Sequence, residues 1–228
     1  MEILTLSLAA AILALDTSAV FQVLISQPLI SGTILGWLGG SPAVGMQIGF
    51  LTQLLWMANL PVGAARVPES NGAAMIATIL AIQLNAATNI HRDTIILFVI
   101  IYALILSYLG ADIVRVIRTW NISLVDRILK FVENDRSSSL GIVITAAILL
   151  LGAAMFVFIF AGVWAGKLIF TQLLDQIPPD WNNYARYVQI ALLGCGVGLT
   201  IHLYRENRHK MIIAAAGVVG FALSVFMH

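Results

Sequence analysis

Apolar residues fill this chain in long blocks, and sparse polar residues mark the gaps between them. Residues 3–15, 19–39 and 43–62 are apolar but broken by Asp16, Pro28, Pro42 and Pro61. Residues 72–88 and 94–114 read as helices, 140–173 carries the single charge Lys167, and 187–204 and 211–227 complete the series. About 20 apolar residues in helical form cross a hydrocarbon core about 30 Å thick. The pattern therefore predicts an all-α integral membrane protein, a polytopic helical bundle with broken or re-entrant segments near its N-terminal third. It reads as one membrane domain over 1–228: a Gly/Pro-interrupted half (1–88), an amphipathic connector (115–139) and C-terminal helices (140–228). As a straight helix, 140–173 would reach about 51 Å. A tilt, a bend near Gly152 or Gly162, or a run along the interface beyond Lys167 would each accommodate it.

The connector has its own periodicity. Ser123 followed by Asp126 is a capping-box pattern, and Leu124, Val125, Ile128, Leu129 and Val132 fall opposite Arg127, Lys130 and Glu133. Such a helix lies on the membrane or on a cytoplasmic partner. Basic residues fix the orientation. Arg115, Arg118, Arg127, Lys130 and Arg136 share the connector, and Arg205, Arg208 and Lys210 share the loop 205–210, so both are expected in the cytoplasm. Two crossings between them, joined by a loop with Asp175, Pro178, Pro179 and Asp180, return the chain to the same side. His228 and the Asn89–Asp93 loop then lie outside.

Composition agrees and removes other classes. Hydrophobic residues make up 60% and charged residues 10% of the 228, against about 45–50% and about 25% in soluble domains. A soluble chain of this size leaves roughly a quarter to a third of its area exposed and could not hide so much apolar surface. The net charge of +1 offers no basic track for a phosphate backbone, so nucleic acid is not an expected partner. The one cysteine, Cys195, excludes an intrachain disulfide framework and reads as a small packing residue. No Lys or Arg occurs before Arg66, so the N-terminus lacks the positive region of a cleavable signal and is expected to remain. His91, His202, His209 and His228 show no metal-ligand spacing, and no cofactor is expected. Gly194-Cys195-Gly196-Val197-Gly198 resembles a nucleotide loop only superficially, because no strand precedes it.

Residues 16–75 depart from a plain bundle. Gly32, Gly36 and Gly40 recur every fourth residue, and Gly45 with Gly49 repeats the spacing, giving strips for close backbone approach. Pro28, Pro42, Pro61 and Pro68 remove backbone donors within apolar sequence. Such breaks are tolerated where protein or a watery cavity surrounds them, and they point to a transporter's binding site. The polar residues there are mainly neutral: Gln22, Gln27, Gln47, Thr52, Gln53, Asn59, Ser70 and Asn71, with the acids Asp16 and Glu69. Amides and carboxylates pair with hydroxyls, and Trp37 or Trp56 could pack on a pyranose face. An uncharged polyhydroxylated substrate fits this set better than an ion does. Taken alone, each amide reads more readily as an interhelical hydrogen-bonding residue. A carboxylate at membrane depth, as Glu69 would be, is costly and points to function, although Arg66 stands close enough in sequence to pair with it. Gln22, Gln53, Asn59, Glu69, Ser70 and Asn71 are the candidate substrate-binding residues.

Gln27-Pro28-Leu29-Ile30, the Gly36-to-Gly49 spacing, Gln53-Leu54, Val62-Gly63-Ala64 and Pro68-Glu69 resemble the enzyme IIC subunit of the mannose/fructose/sorbose phosphotransferase family. The resemblance is close over 15–81 and looser over 82–200, where Asp112, Arg118, Asn121 and Asp126 resemble the family's connector. It implies a sugar-translocating subunit of a bacterial inner membrane that carries no phosphohistidine. It implies a membrane partner (IID), a trimer of such pairs, and cytoplasmic IIB and IIA subunits relaying phosphate from phosphoenolpyruvate to a hexose-type sugar. The family's sugar-contacting region maps onto Gln53, Glu69, Ser70 and Asn71. Gly39-Gly40, Gln27 and Glu69 stand where relatives usually have Gly-Asp, Arg or His, and Asp. Two other classes compete: a permease- or channel-like relative moving a small polar solute without phosphorylation, and an intramembrane enzyme or structural subunit. The enzyme class lacks a nucleophile–base constellation.

Overall fold

The structure, a computed structural model, describes residues 2–203 except 18, 21, 58–66, 89 and 134–139; of 118, 121–133, 140, 142–143 and 203 it describes the backbone alone. Seven α-helices form it among the described residues: α1 (Ile3–Ala14), α2 (Pro28–Leu38), α3 (Pro42–Trp56), α4 (Ser70–Ala87), α5 (Arg92–Glu133), α6 (Leu140–Leu174) and α7 (Trp181–Leu203).

Proline sets where the short helices begin. Pro28 and Pro42 each occupy the first position of their helix, where a missing N–H is harmless. α2 and α3 then run antiparallel as a hairpin, turned by Gly39, Gly40 (φ 78°) and Ser41. Their facing glycines bring backbone onto backbone. A Cβ at Gly36 would stand 2.9 Å from Gly45 Cα, and one at Gly45 would run into the Gly32 carbonyl. With 11 and 15 residues, these helices reach only about 16 and 22 Å, too short for a bilayer. α1 ends at a 3-10 turn over Leu15–Thr17 and is shorter than a span as well. The broken N-terminal third expected from sequence is therefore a half-length helix followed by a half-length hairpin.

α4 is the axis around which the rest is built. It contacts α1, α2, α3, α5 and α6, and every residue from Asn71 to Ile82 is buried. Alanines at 73, 74, 77 and 81 allow this crowding. One side of α4 packs with Ile48, Leu51, Ile96, Val99 and Phe170, the other with Leu6, Leu35, Met155, Phe158 and Ile159. Gly162 and Gly166 let α6 lie close against Ile76 and Leu80 of α4, and the Tyr102 hydroxyl of α5 donates to the Gly162 carbonyl at 2.9 Å.

Among the described residues, three stretches are long and apolar enough to cross a membrane: Arg92–Ile117, Ile144–Leu174 and Trp181–His202. The segments read separately as 94–114 and a connector are one continuous helix, since no Gly-Pro break or cap intervenes and Ser123 lies within it rather than starting a new one. The long apolar run 140–173 is likewise a single helix of 35 residues. α7 begins earlier than its apolar run, at Trp181. Cys195 lies on the exposed side of α7 rather than in packing. The expected segment 211–227, the loop 205–210 and the side chains of the connector beyond Trp120 lie outside the described residues.

Candidate functional site

The polar residues of the N-terminal third converge where α1 ends and α4 begins. Asp16 follows α1 and is only 7% exposed. Its Oδ1 accepts from the Val23 amide at 2.8 Å, and its Oδ2 accepts from the Ser26 amide at 3.1 Å and the Ser26 hydroxyl at 3.3 Å. This carboxylate holds a turn that the backbone resists. Gln22 (φ 53°) and Leu24 (φ 69°) both sit in the left-handed region, which costs a non-glycine residue about 1–3 kcal/mol. Such strain persists only where surrounding contacts over-determine it.

Asn71 enters the same network from the first turn of α4. Its Nδ2 donates to Thr17 Oγ1 at 3.2 Å and to Ser26 Oγ at 3.4 Å, while its Oδ1 accepts from the Ser70 hydroxyl at 3.4 Å. Ser26 thus accepts from Asn71 and donates to Asp16, a directional chain with each hydrogen accounted for. Gln27, the next residue, is the N-cap of α2 but makes no side-chain cap. Its Oε1 instead accepts from Gln53 Nε2 of α3 at 3.1 Å. Gln53 Oε1 is buried and accepts no hydrogen bond among the described residues. An orphaned buried acceptor is costly and calls for an explanation.

Depth follows from α5. The Glu69 amide donates to the Ser107 carbonyl at 2.8 Å. Along α5 this level is about 22 Å from Arg92 and about 15 Å from Ile117, the ends of the apolar stretch. The cluster therefore lies within the membrane-crossing zone. It presents one carboxylate with hydroxyls and amides, an arrangement that can exchange hydrogen bonds with a hydroxylated solute.

The sequence-predicted residues fare differently. Gln53, Ser70 and Asn71 are brought together by the 22–27 segment. Glu69 lies beside them, but its Oε1 accepts from the Gly72 amide at 3.2 Å as the N-cap of α4, and its Cβ faces Gly110 of α5. Gln22 is exposed at the edge of the strained turn. Asn59 and Arg66 lie outside the described residues. Thr52 hydrogen-bonds its own helix at Ile48. Trp37 is exposed, and Trp56 packs on the core beside Leu55. Gln47 points elsewhere, to α7. Sequence reasoning missed the linking roles of Ser26 and Thr17 and the central place of Asp16. An aspartate isolated between apolar runs was the available signal.

Comparisons with known proteins agree with this architecture. Residues 1–228 match the family described as "PTS system sorbose-specific iic component". No curated protein matches the sequence. A solved structure described as "Structure of membrane protein" is similar with a TM-score of 0.71 and 19% identity, covering 99% of this chain and 94% of the other. The cryo-EM structure of the mannose transporter ManYZ in complex with microcin E492 is similar with a TM-score of 0.60 and 19% identity, covering 99% and 92%. At that identity both report the fold. The match over the full sequence, joined to a multi-pass helical architecture with a broken N-terminal third, shows that the chain belongs to the sorbose-specific IIC family of the phosphotransferase system and is a membrane-embedded sugar-transport subunit of that system.

Proposed function

We propose that the chain binds an unphosphorylated, hexose-type sugar at the junction of α1, the 22–27 turn, α3 and α4, and delivers it to a cytoplasmic phosphorylating subunit. Gln53, Ser70 and Asn71 make the polar contacts, with Asp16 and Ser26 fixing their positions. Gln22 at the exposed edge, Asn59 and Glu69 complete the proposed set. The observation that carries the reading is the buried Gln53 Oε1, which accepts no hydrogen bond among the described residues although its own amide nitrogen is tied to Gln27. A sugar hydroxyl supplies the missing donor.

In this reading the connector 115–139 and the loop 205–210 face the cytoplasm of a bacterial inner-membrane protein. The concentration of basic residues beyond Val114, including Arg115, Arg118 and Arg127, supports that side. A second membrane subunit of the IID type pairs with the chain, IIB and IIA complete the phosphate relay, and three pairs assemble. Large exposed apolar faces on α6 and α7, whose spanning windows are each only 17% buried, give area for such a partner.

The test is uptake of radiolabelled sugar into membrane vesicles containing all subunits. Phosphoenolpyruvate should drive accumulation of sugar phosphate, and Gln53→Ala or Asn71→Ala should raise the sugar concentration needed for it about tenfold while the protein stays inserted. Accumulation of unmodified sugar without phosphoenolpyruvate would overturn the coupling and favour a permease.

A further inference from the structure

A second polar constellation lies at the opposite end of the α3 hairpin, and the sugar reading does not use it. We propose that the cavity between α3, the first turn of α5 and α7 binds the phosphate headgroup of an anionic phospholipid. The cavity holds about 470 Å³; its polar lining is Gln47, Arg92, Asp93, Arg186 and Gln189, and its apolar lining is Phe50, Leu51, Ile190 and Leu193.

Its polar wall is built rather than incidental. Gln189 is 5% exposed. Its Nε2 donates to the Asp93 carbonyl at 2.9 Å, and its Oε1 accepts from Gln47 Nε2 at 2.8 Å. Gln47 Oε1 in turn accepts from Arg92 Nη2 at 2.7 Å. The chain holds the Arg92 guanidinium over the cavity through a neutral partner, so its charge is not cancelled. Arg186, one turn before Gln189, is exposed and has no ion pair among the described residues. Two guanidiniums against the single Asp93 carboxylate leave the lining net positive. The N-terminus of α5 adds positive potential from its free amides.

The level and shape select a lipid. Trp181, Tyr184 and Tyr187 on the first turns of α7 are all exposed, the placement that aromatic rings take at the membrane–water interface. Arg186 stands among them. The wall nearer the membrane centre is apolar and open, with Phe50 43% and Ile190 58% exposed. A cationic mouth above an apolar, laterally open floor suits a phosphate joined to acyl chains, whereas a free anion would gain nothing from the floor. Basic pockets between membrane helices bind headgroups in this way.

The test uses the full chain, purified in detergent with any membrane subunit that accompanies it. Its thermal unfolding midpoint is measured with phosphatidylglycerol, phosphatidylcholine or inorganic phosphate, and bound lipids are counted by native mass spectrometry. Phosphatidylglycerol alone should raise the midpoint and remain bound. Arg186→Gln, which breaks no described hydrogen bond, should weaken phosphatidylglycerol about fivefold, the effect of one basic residue near an anionic lipid. Adding Arg92→Gln should remove the response. The proposal is overturned if phosphatidylcholine acts equally, if inorganic phosphate reproduces the shift, or if Arg186→Gln responds as the unmodified chain does.

Discussion

Asp16 and Ser26 are joined twice at one oxygen: both the backbone amide and the hydroxyl of Ser26 donate to Asp16 Oδ2, at 3.1 and 3.3 Å. The double link closes a loop between α1 and α2 and aims the Ser26 oxygen at Asn71. In the sugar site proposed above, this acid positions the other residues rather than contacting the sugar.

Replacing Asp16 should therefore act through geometry. Asp16→Ala removes the acceptor for Val23 and Ser26 together and should cut sugar affinity at least about tenfold, because buried donors are left unmade. Asp16→Asn keeps one acceptor oxygen and should fall between the two. Isothermal titration with the transported sugar distinguishes them, and equal affinity in all three forms would remove Asp16 from the site.

Gln53 and Glu69 differ in how far binding and packing are joined. Gln53→Ala should lower affinity about tenfold, one charge-neutral hydrogen-bond set, with a change in unfolding midpoint too small to explain it. Glu69→Ala should lower affinity and stability together. It removes the N-cap of α4, costing about 1 kcal/mol, a loss that shows in thermal stability measured by fluorescence-detected chromatography.

The hairpin glycines should divide by what surrounds them. Gly45→Ala drives a methyl into the Gly32 carbonyl and should cost about 1–3 kcal/mol by overpacking. Gly40 has φ 78° and open space around its missing Cβ, so Gly40→Ala carries backbone strain alone, about 1–2 kcal/mol. Gly36→Ala should resemble Gly45→Ala. Unfolding midpoints of the three variants give the order.

Gln189 ties three helices. Gln189→Leu leaves the Gln47 amide and the Asp93 carbonyl without their partner and should cost about 1–3 kcal/mol. Gln47→Leu in the same background should cost less than it does alone, since the Gln47–Gln189 bond is already lost and only the Arg92 contact remains to be removed. A double-mutant cycle on thermal unfolding checks the shortfall from additivity.

Much of the architecture was legible from the chain. Pro28 and Pro42 were legible as breaks in apolar sequence, which the structure turns into helix starts because proline fits the first turn, and the glycine spacing announced backbone contact. The continuity of α5 into the connector was not, because periodicity registers a change from apolar to amphipathic surroundings and a helix can pass through that change unbroken. Ser123 shows the limit of capping signals, which need a break in the backbone to act on. Within the site, Gln53, Ser70 and Asn71 stood out as amides and hydroxyls in apolar sequence. Ser26 did not, because a small serine beside Gln27 acquires meaning only once the 22–27 turn folds back to Asp16. The Gln47–Gln189 pair is similarly invisible in one dimension, its members lying on helices far apart in the chain.

The α2–α3 hairpin is joined along its glycine strips by main chain against main chain. Side-chain packing can yield by changing rotamers, but backbone in direct contact has no such play. The hairpin is consequently a stiff block, and any displacement that carries sugar past it has to be absorbed at its hinges. The turn before Pro28, held in left-handed geometry at Gln22 and Leu24 by Asp16, is a spring already wound at one of them.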